Sequence, residues 1–167
     1  KLQIKLPKNI EFIDRKLIKN SLKKSIGELL SDVQNILEKK KKYSDYFIFI
    51  SYDYLYFSQK KLDKLIRANH ANGNDSTFFG YTEYNHYWQK KNDVFEQTDK
   101  STLPLIKRQP LYKALYGLGT IVSSWLLRKK QITGGKIGIF PVDDLKYTFR
   151  FSKINKDLKK LLIKWKK

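Results

Sequence analysis

The sequence predicts an α/β layered domain with a mainly parallel central sheet, and three observations lead to that prediction. Short aromatic and β-branched runs alternate with segments whose apolar residues recur every three or four positions. The resulting order begins with strand, helix, strand, helix and strand, and after a long loop it continues with strands, short helices and a last helix. The run 46–50 is apolar on both faces, which is typical of an interior parallel strand covered by helices.

The first half of the chain is predicted to contain two strands and two amphipathic helices. We expect a short strand at 9–13, and then a helix that starts at Asn20 and ends in a run of four lysines. The apolar face of this helix consists of Leu22, Ile26, Leu29, Leu30, Val33, Ile36 and Leu37. After the strand 46–50, Ser58 is the expected N-cap of a second helix, which ends near Asn69.

The second half is predicted to contain three more strands and three helical segments. The strands are expected at 77–81, 118–122 and 137–140, and the helices at 124–127, from 141 onwards, and at 155–167. The stretch 83–111 is polar, aromatic and irregular, and a loop of that length in a compact domain is usually functional or mobile. No repeat or linker divides the 167 residues, so we expect one domain over 1–167.

The composition is strongly basic, with 35 Lys and Arg residues against 16 Asp and Glu residues and a net charge of +19. A nucleic acid, an anionic membrane surface or a nucleotide diphosphate would be attracted by such a field. Nucleic-acid readers, however, favour the planar fork of Arg, and here almost all the basic residues are Lys. A solvated lysine surface is therefore the preferred interpretation, and no nucleic-acid partner is expected.

The composition also excludes several kinds of chemistry. The chain has no Cys, which excludes disulfides, zinc thiolates and a thiol nucleophile. Its two histidines, His70 and His86, lack the spacing of metal ligands, and no Gly-x-Ser-x-Gly motif is present. No run approaches the roughly 20 apolar residues of a membrane span. The chain starts at Lys1 and contains no Met, from which we expect a piece of a longer or processed protein.

A single carboxylate, Asp53, follows the strand predicted at 46–50. In open α/β sheets, ligands bind beyond the carboxyl ends of the strands. A carboxylate at that place can ligate a divalent metal through oxygen. It can equally cap a turn or the helix that follows, and the residues alone leave both interpretations open.

Two adjacent acids, Asp143 and Asp144, follow the strand predicted at 137–140. They can complement the dipole of a helix start, for which Pro141 is a further sign. Alternatively, one of them faces the ligand crevice as a general base.

Two glycines and one tryptophan complete the candidates from the residues themselves. Gly117 and Gly119 match neither a P-loop nor a dinucleotide-binding motif, and they indicate close backbone approach or a bend. Trp88 lies in an aromatic stretch with His86 that could stack on a sugar or a base, although ordinary packing is as good an interpretation.

Four stretches, taken in order and with their spacing, resemble one known family. They are NSLKKSIGEL (20–29), YFIFISYDYLYFSQKKLDKLI (46–66), YKALYGLGTIVSS (112–124) and IFPVDDLKYTF (139–149). The second is similar to a strand, an Asp-Asp-Asp metal motif and a helix. The third is similar to a Tyr-Pro-Pro-Tyr…Gly-x-Gly…Ser stretch, and the fourth to a Pro-Ile-Asp-Asp or Leu-Glu-Asp segment. Together they resemble the β-1,3-galactosyltransferase family, which includes β-1,3-N-acetylglucosaminyltransferases and, more distantly, the fringe proteins.

The resemblance implies a GT-A fold and transfer of a hexose or N-acetylhexosamine from a UDP-sugar to a glycan hydroxyl with inversion. It also implies a manganese cofactor and the Golgi lumen, with membrane attachment only through a segment outside this chain. By position, Asp53 matches the third acid of the metal motif and Asp144 the proposed base, with Asp143 beside it. The expected substrate-binding residues are Ser51, Tyr52, Trp88, Tyr112, Gly117 and Gly119.

The chain departs from the family pattern in three places. Ser51 and Tyr52 replace the first two acids of the metal motif, and a hard divalent ion prefers several oxygen ligands. Lys113 and Ala114 replace the two prolines, and the family's cysteines are missing. The family's first strand and helix have no match, so we expect a domain that lacks its N-terminal βα unit. The alternatives are an inactive glycosyltransferase-like binding module and, third, a basic nucleic-acid-binding domain.

Overall fold

The computed structural model describes residues 23–98 and 107–151, together with Ile10, Ile13, Asp14, Ile18 and Pro104. The predicted helix 155–167 and most of the predicted strand 9–13 lie outside the described residues. The helices are α1 (Ile26–Lys39), α2 (Gln59–Asn72) and α3 (Ser124–Arg128). The strands are β1 (Tyr46–Phe49), β2 (Ser76–Glu83), β3 (Trp88–Lys91), β4 (Val94–Gln97), β5 (Leu111–Ala114), β6 (Thr120–Ser123) and β7 (Ile137–Val142). Two short 3₁₀ helices lie at Tyr116–Leu118 and Leu145–Thr148.

The main sheet is mixed, and most of its strand pairs are antiparallel. β1 pairs with β6, and β2 pairs with both β6 and β5, all antiparallel. Only β7 runs parallel to its partner β2 among the described strands. The prediction of a mainly parallel sheet was therefore wrong, while the mixed α/β class is confirmed. Alternation of strands and helices predicts crossover connections, and β1 and β2 do run parallel to each other, but β6 lies between them and is antiparallel to both.

The longest strand of the main sheet, β2, organises its neighbours. β7 pairs with residues 76–81 along one edge of β2. Its other edge is therefore shared by β6, which pairs with residues 76–78, and β5, which pairs with residues 80–83. The chain between β5 and β6 leaves the sheet, and this is where the glycine-containing 3₁₀ helix forms. The sheet thus presents the Gly117–Gly119 segment next to its strands.

The strand β1 is not the interior strand that its composition predicted. Among the described strands it pairs with β6 alone. Its residue Ile48 is 43% exposed, and Ile50 just after it is 45% exposed. A continuous apolar run is thus compatible with an edge position, because edge strands of a sheet can also carry β-branched and aromatic residues on both faces.

The helix α1 begins at Ile26, not at Asn20. Ser25 is its N-cap and forms a capping box with Glu28, which satisfies two backbone donors at the helix start. This local signal outweighed the apolar periodicity that extends further upstream. α1 ends at Lys39, as predicted, and it packs against α3 with Gly27 close to the Lys130 carbonyl.

The helix α2 confirms its predicted N-cap. The Ser58 hydroxyl accepts a hydrogen bond from the Lys61 N–H at 3.3 Å. The helix continues to Asn72, three residues beyond the predicted end, and stops at Gly73, whose φ of 58° is a left-handed conformation. α2 buries Leu65 and Asn69 against the sheet.

Apolar clusters cover both faces of the sheet, because successive residues of β6 point to opposite sides. Ile121 belongs to the larger cluster and Val122 to the smaller one. The other buried members of the larger cluster are Leu65, Phe79, Leu115, Leu118, Val142 and Tyr147. The smaller cluster joins Leu126 and Leu127 of α3 to Val122, with Leu30 and Phe47 packed against them.

The stretch predicted as an irregular loop, 83–111, contains a separate hairpin of β3 and β4. Asn92 and Asp93 form its turn, and both adopt positive φ angles of 46° and 65°. Such two-residue turns match the twist of a hairpin. The prediction missed these strands because their residues are almost all exposed, so no face carries an apolar pattern.

Candidate functional site

Three segments that are far apart in sequence meet beside β1. They are the turn at residues 51–55, the 3₁₀ helix Tyr116–Leu118 and the chain at 149–151. Three backbone hydrogen bonds join them: Ser51 N–H to the Gly117 carbonyl at 2.7 Å, Leu55 N–H to the Phe149 carbonyl at 3.1 Å, and Phe151 N–H to the Asp53 carbonyl at 2.7 Å. The second, third and fourth stretches of the family resemblance are therefore neighbours in space.

Asp53 lies inside this junction, and the residue is 8% exposed. Its Oδ1 accepts a hydrogen bond from the Ser51 hydroxyl at 2.5 Å. Its Oδ2 accepts hydrogen bonds from two nitrogens of Arg150, with Nε at 2.7 Å and Nη2 closer still. The Arg150 guanidinium also lies 5.4 Å from the ring centre of Tyr54. Asp53 therefore belongs to an ion pair that links the turn 51–55 to the chain at 150.

The same contacts decide whether Asp53 fits a resident manganese ion. Both carboxylate oxygens accept hydrogen bonds, and a metal would have to displace the Arg150 cation. Within the residues that the structure describes, no group of three His, Cys, Asp or Glu side chains is placed to hold a metal. Because Mn²⁺ prefers several oxygen ligands, this donor set does not fit it.

The tyrosines on either side of Asp53 have different environments. Tyr52 is 97% exposed, so its ring lies outside the junction. Tyr54 is half-buried, and burial raises the pKa of its hydroxyl, while the Arg150 charge opposes part of that rise. Ser51 and Asp53 are thus brought together with Gly117, and Tyr52 is not.

The two glycines after β5 allow their segment to lie close to its neighbours. A Cβ on Gly117 would lie 2.8 Å from the Ser51 Cβ and 2.8 Å from the Tyr54 ring. A Cβ on Gly119 would lie 2.9 Å from the Phe79 ring. The prediction of close backbone approach is confirmed, and their role in binding substrate stays a prediction.

The adjacent acids at the end of β7 have different partners. Asp144 caps the 3₁₀ helix Leu145–Thr148, and its carboxylate contacts the Lys146 ammonium at 2.5 Å. The hydrogen bonds from Lys146 hold the pKa of Asp144 below its usual value, and the charge of Lys61 acts in the same direction. Asp143 is exposed and accepts a hydrogen bond from the Thr82 hydroxyl at 3.0 Å. The two interpretations of these acids thus separate: Asp144 caps a helix, and Asp143 is available to a ligand.

An open cleft of about 480 Å³ lies at the carboxyl end of β2. It is lined by Glu83, Asn85, Tyr87, Leu111, Tyr112 and Lys113. The Lys113 ammonium lies 3.4 Å from the Glu83 carboxylate across the β2–β5 pair. Among the predicted residues Tyr112 lines this cleft, whereas Trp88 is 61% exposed on β3 and does not line it.

Thr82 relates the cleft to the acids of β7. It neighbours Glu83 in sequence and stands opposite Tyr112 in the β2–β5 register, so its side chain and that of Tyr112 share a face of the sheet. The Thr82 hydroxyl contacts Asp143, which places Asp143 at the same end of the sheet as the cleft.

Sequence reasoning missed Arg150, Thr82 and Glu83. A signal for Arg150 existed, because it is one of very few arginines in a lysine-rich chain. Thr82 and Glu83 had no comparable signal, since their importance depends on which strands pair.

The basic character of the junction extends to two lysines. The ammonium groups of Lys61 and Lys146 lie 5.0 Å and 5.3 Å from the ring centre of Tyr147. Lys146 pairs with Asp144 as Arg150 pairs with Asp53, and Asp143 adjoins Asp144. The three cations Lys61, Lys146 and Arg150 are thus matched in number by three carboxylates.

Comparison with known proteins does not assign the chain. Neither a protein-family profile nor a curated protein sequence matches it. In the part of the chain that the structure describes, no helix has the length and apolar character needed to cross a membrane.

Proposed function

We propose that the protein is a glycosyltransferase of the β-1,3-galactosyltransferase type with a GT-A-like fold. It would transfer a hexose or N-acetylhexosamine from a UDP-sugar to a glycan hydroxyl, with inversion. The observation that carries the proposal is the meeting of the turn 51–55, the Gly117 segment and the chain after β7. The turn 51–55 and the Gly117 segment belong to the stretches that resemble the family's metal motif and its Gly-x-Gly motif, and Phe149 is the last residue of the stretch 139–149 that resembles its acidic segment. That these segments are neighbours supports the proposal.

The reaction is a single displacement. The oxygen of the acceptor hydroxyl attacks the anomeric carbon, the bond from that carbon to the UDP oxygen breaks with its electron pair, and the acceptor proton goes to a carboxylate. We assign the proton to Asp143. Asp144 is a poor base because its hydrogen bonds with Lys146 lower its pKa. Asp143 is exposed and accepts a hydrogen bond from the Thr82 hydroxyl.

The cleft at the end of β2 is the proposed acceptor site. Tyr87 and Tyr112 offer aromatic rings on which a sugar ring can stack, and Glu83 and Asn85 offer partners for its hydroxyls. The hydrogen bond from Thr82 to Asp143 means that Asp143 lies at the same end of the sheet as the cleft, which supports its assignment as the base. By the same resemblance, the protein would act in the Golgi lumen and reach the membrane through a segment outside this chain.

The first experiment measures transfer and binding separately. The purified protein is assayed with a panel of UDP-sugars and short glycan acceptors, and UDP binding is measured by calorimetry. Asp143→Asn should lower transfer by about 10²–10⁴-fold, the usual contribution of a general base, with UDP affinity unchanged. Asp144→Asn is the matched variant and should lower transfer less. Full activity of Asp143→Asn would refute its assignment as the base.

An inactive binding module is the second candidate, and the Asp53–Arg150 ion pair favours it. That pair occupies the oxygens that would otherwise be metal ligands. This candidate predicts binding of UDP or a glycan without transfer to any acceptor. Transfer by the wild-type protein that Asp143→Asn abolishes would exclude it.

A further inference from the structure

The ion pair between Asp53 and Arg150 occupies the place where a metal motif would stand. Asp53 follows β1, as the acids of such a motif follow their strand, and Arg150 comes from the chain after β7. Asp53 is held in this pair, because it is buried and its other carboxylate oxygen accepts a hydrogen bond from the Ser51 hydroxyl. A cation is thus present at this position, supplied by the chain itself.

The Arg150 side chain keeps capacity for a further ligand. It is 38% exposed, and it uses Nε and Nη2 to bind Asp53. A guanidinium has five N–H donors, and within the described residues Nη1 donates to no other group. Arg carries its charge at every physiological pH, and its planar fork matches the oxygens of a phosphate.

The chain around Arg150 would also favour a diphosphate. Lys146 lies four residues before Arg150, on the 3₁₀ helix Leu145–Thr148. The ammonium groups of Lys61 and Lys146 both lie close to the Tyr147 ring. Arg150 itself is fixed by Asp53 and the Tyr54 ring, so little rotamer freedom remains to be lost when a ligand binds.

We propose that Arg150 takes the place of the divalent cation: its guanidinium, positioned by Asp53, binds the diphosphate of the nucleotide sugar without metal. This inference rests on the proposed function, since it concerns the donor site of that reaction. Asp53 is then a positioning residue for Arg150 and not a metal ligand.

The experiment is calorimetric titration with UDP and with uridine, each in EDTA and in Mn²⁺. The wild-type protein should bind UDP with the same Kd in both buffers. Arg150→Ala should weaken UDP binding in EDTA by about tenfold to a hundredfold, the loss of a charge-assisted hydrogen bond, and leave uridine binding unchanged.

Two further variants distinguish a specific loss of UDP binding from a loss of folding. Arg150→Lys keeps the charge and the Asp53 partner, and it should retain more UDP affinity than Arg150→Ala. Arg128→Ala removes an exposed arginine that pairs with Glu38 on α1, and its UDP affinity should equal that of the wild type.

The outcomes separate this inference from the proposed function. Wild-type UDP binding that requires Mn²⁺ would overturn the role of Arg150 and leave the glycosyltransferase standing. Equal UDP affinity of Arg150→Ala and Arg128→Ala would overturn it as well. Absence of UDP binding in both buffers would overturn the proposed function and, with it, the inference.

Discussion

The contact between Gly117 and the turn 51–55 leads to the sharpest test of the structure. Gly117→Ala places a methyl carbon 2.8 Å from the Ser51 Cβ and 2.8 Å from the Tyr54 ring. Carbon atoms prefer a separation of about 3.5–4.0 Å, so the two segments must move apart by roughly 0.7–1.2 Å. The hydrogen bond of 2.7 Å from Ser51 N–H to the Gly117 carbonyl opposes that movement.

The expected cost follows from this crowding. Overpacking of a close contact costs about 1–3 kcal/mol of the free energy of unfolding. For a chain of this size each kcal/mol corresponds to about 2–4 °C in Tm, so Tm should fall by about 2–12 °C. Thermal unfolding followed by circular dichroism measures the change. Because the displaced turn carries Asp53, the affinity for UDP should fall as well.

Gly73→Ala is the matched control for this substitution. Nothing lies within 4 Å of a Cβ on Gly73, but its φ of 58° makes any other residue strained by about 1–2 kcal/mol. The control should therefore lose stability and keep its UDP affinity. If Gly117→Ala had the Tm of the wild type, the segment would accommodate a Cβ without crowding, contrary to this prediction.

Three further predictions concern stability and are each checked by urea unfolding. Thr77→Val removes the hydroxyl that donates to the buried Asn69 Oδ1 at 2.6 Å, and the orphaned oxygen should cost about 1–3 kcal/mol; an unchanged midpoint would contradict this. Ser25→Ala removes the capping box with Glu28 and should lower the free energy of unfolding by about 1 kcal/mol. Ser25→Asp keeps a capping oxygen and should retain most of the wild-type stability. Folding lowers the pKa values of four carboxylates from their ordinary values of 4.5 for Glu and 3.8 for Asp. These groups therefore stabilise the folded state when the pH is above the ordinary pKa values, and this stabilisation is lost as the pH falls below them. The urea midpoint should therefore fall between pH 5 and about pH 2, and a constant midpoint would count against these contacts. The four are Glu28, Glu38, Asp75 and Asp144.

The parts of the fold that depend on short-range signals were predictable from the sequence. The N-cap Ser58 is confirmed, and the predicted strand 46–50 corresponds to β1, Tyr46–Phe49. A capping hydroxyl or a β-branched run acts through neighbours within a few residues, so the sequence contains the whole interaction. The prediction for the start of α1 was wrong, although the signal was local. The capping box of Ser25 and Glu28 marks the start at Ile26, whereas the apolar periodicity continues upstream of it.

The directions of the strands were not predictable in this way. β6 lies between β1 and β2, and nothing local to Thr120–Ser123 records that it runs antiparallel to both. The hairpin of β3 and β4 was hidden because its residues are solvated on both faces. Pairing direction is decided by contacts between distant residues, and an exposed hairpin carries no apolar pattern, so periodicity reports neither.

The candidate site shows how the same limit affects a functional assignment. The prediction that Asp53 follows a strand is confirmed, since β1 ends at Phe49. The role of a carboxylate at that place depends on the groups that contact it. The charged partner of Asp53 is Arg150, 97 residues later in the chain. Backbone hydrogen bonds between the turn 51–55 and residues 149–151 bring the two side chains together. In a site with several acids the carboxylates need an external cation to offset their mutual repulsion. Ser51 and Tyr52, which precede Asp53, carry no carboxylate, so no such repulsion arises there and the Arg150 guanidinium offsets the charge of Asp53. If Arg150 binds the diphosphate as proposed, UDP binding needs no Mn²⁺, and the titration in EDTA and in Mn²⁺ measures this.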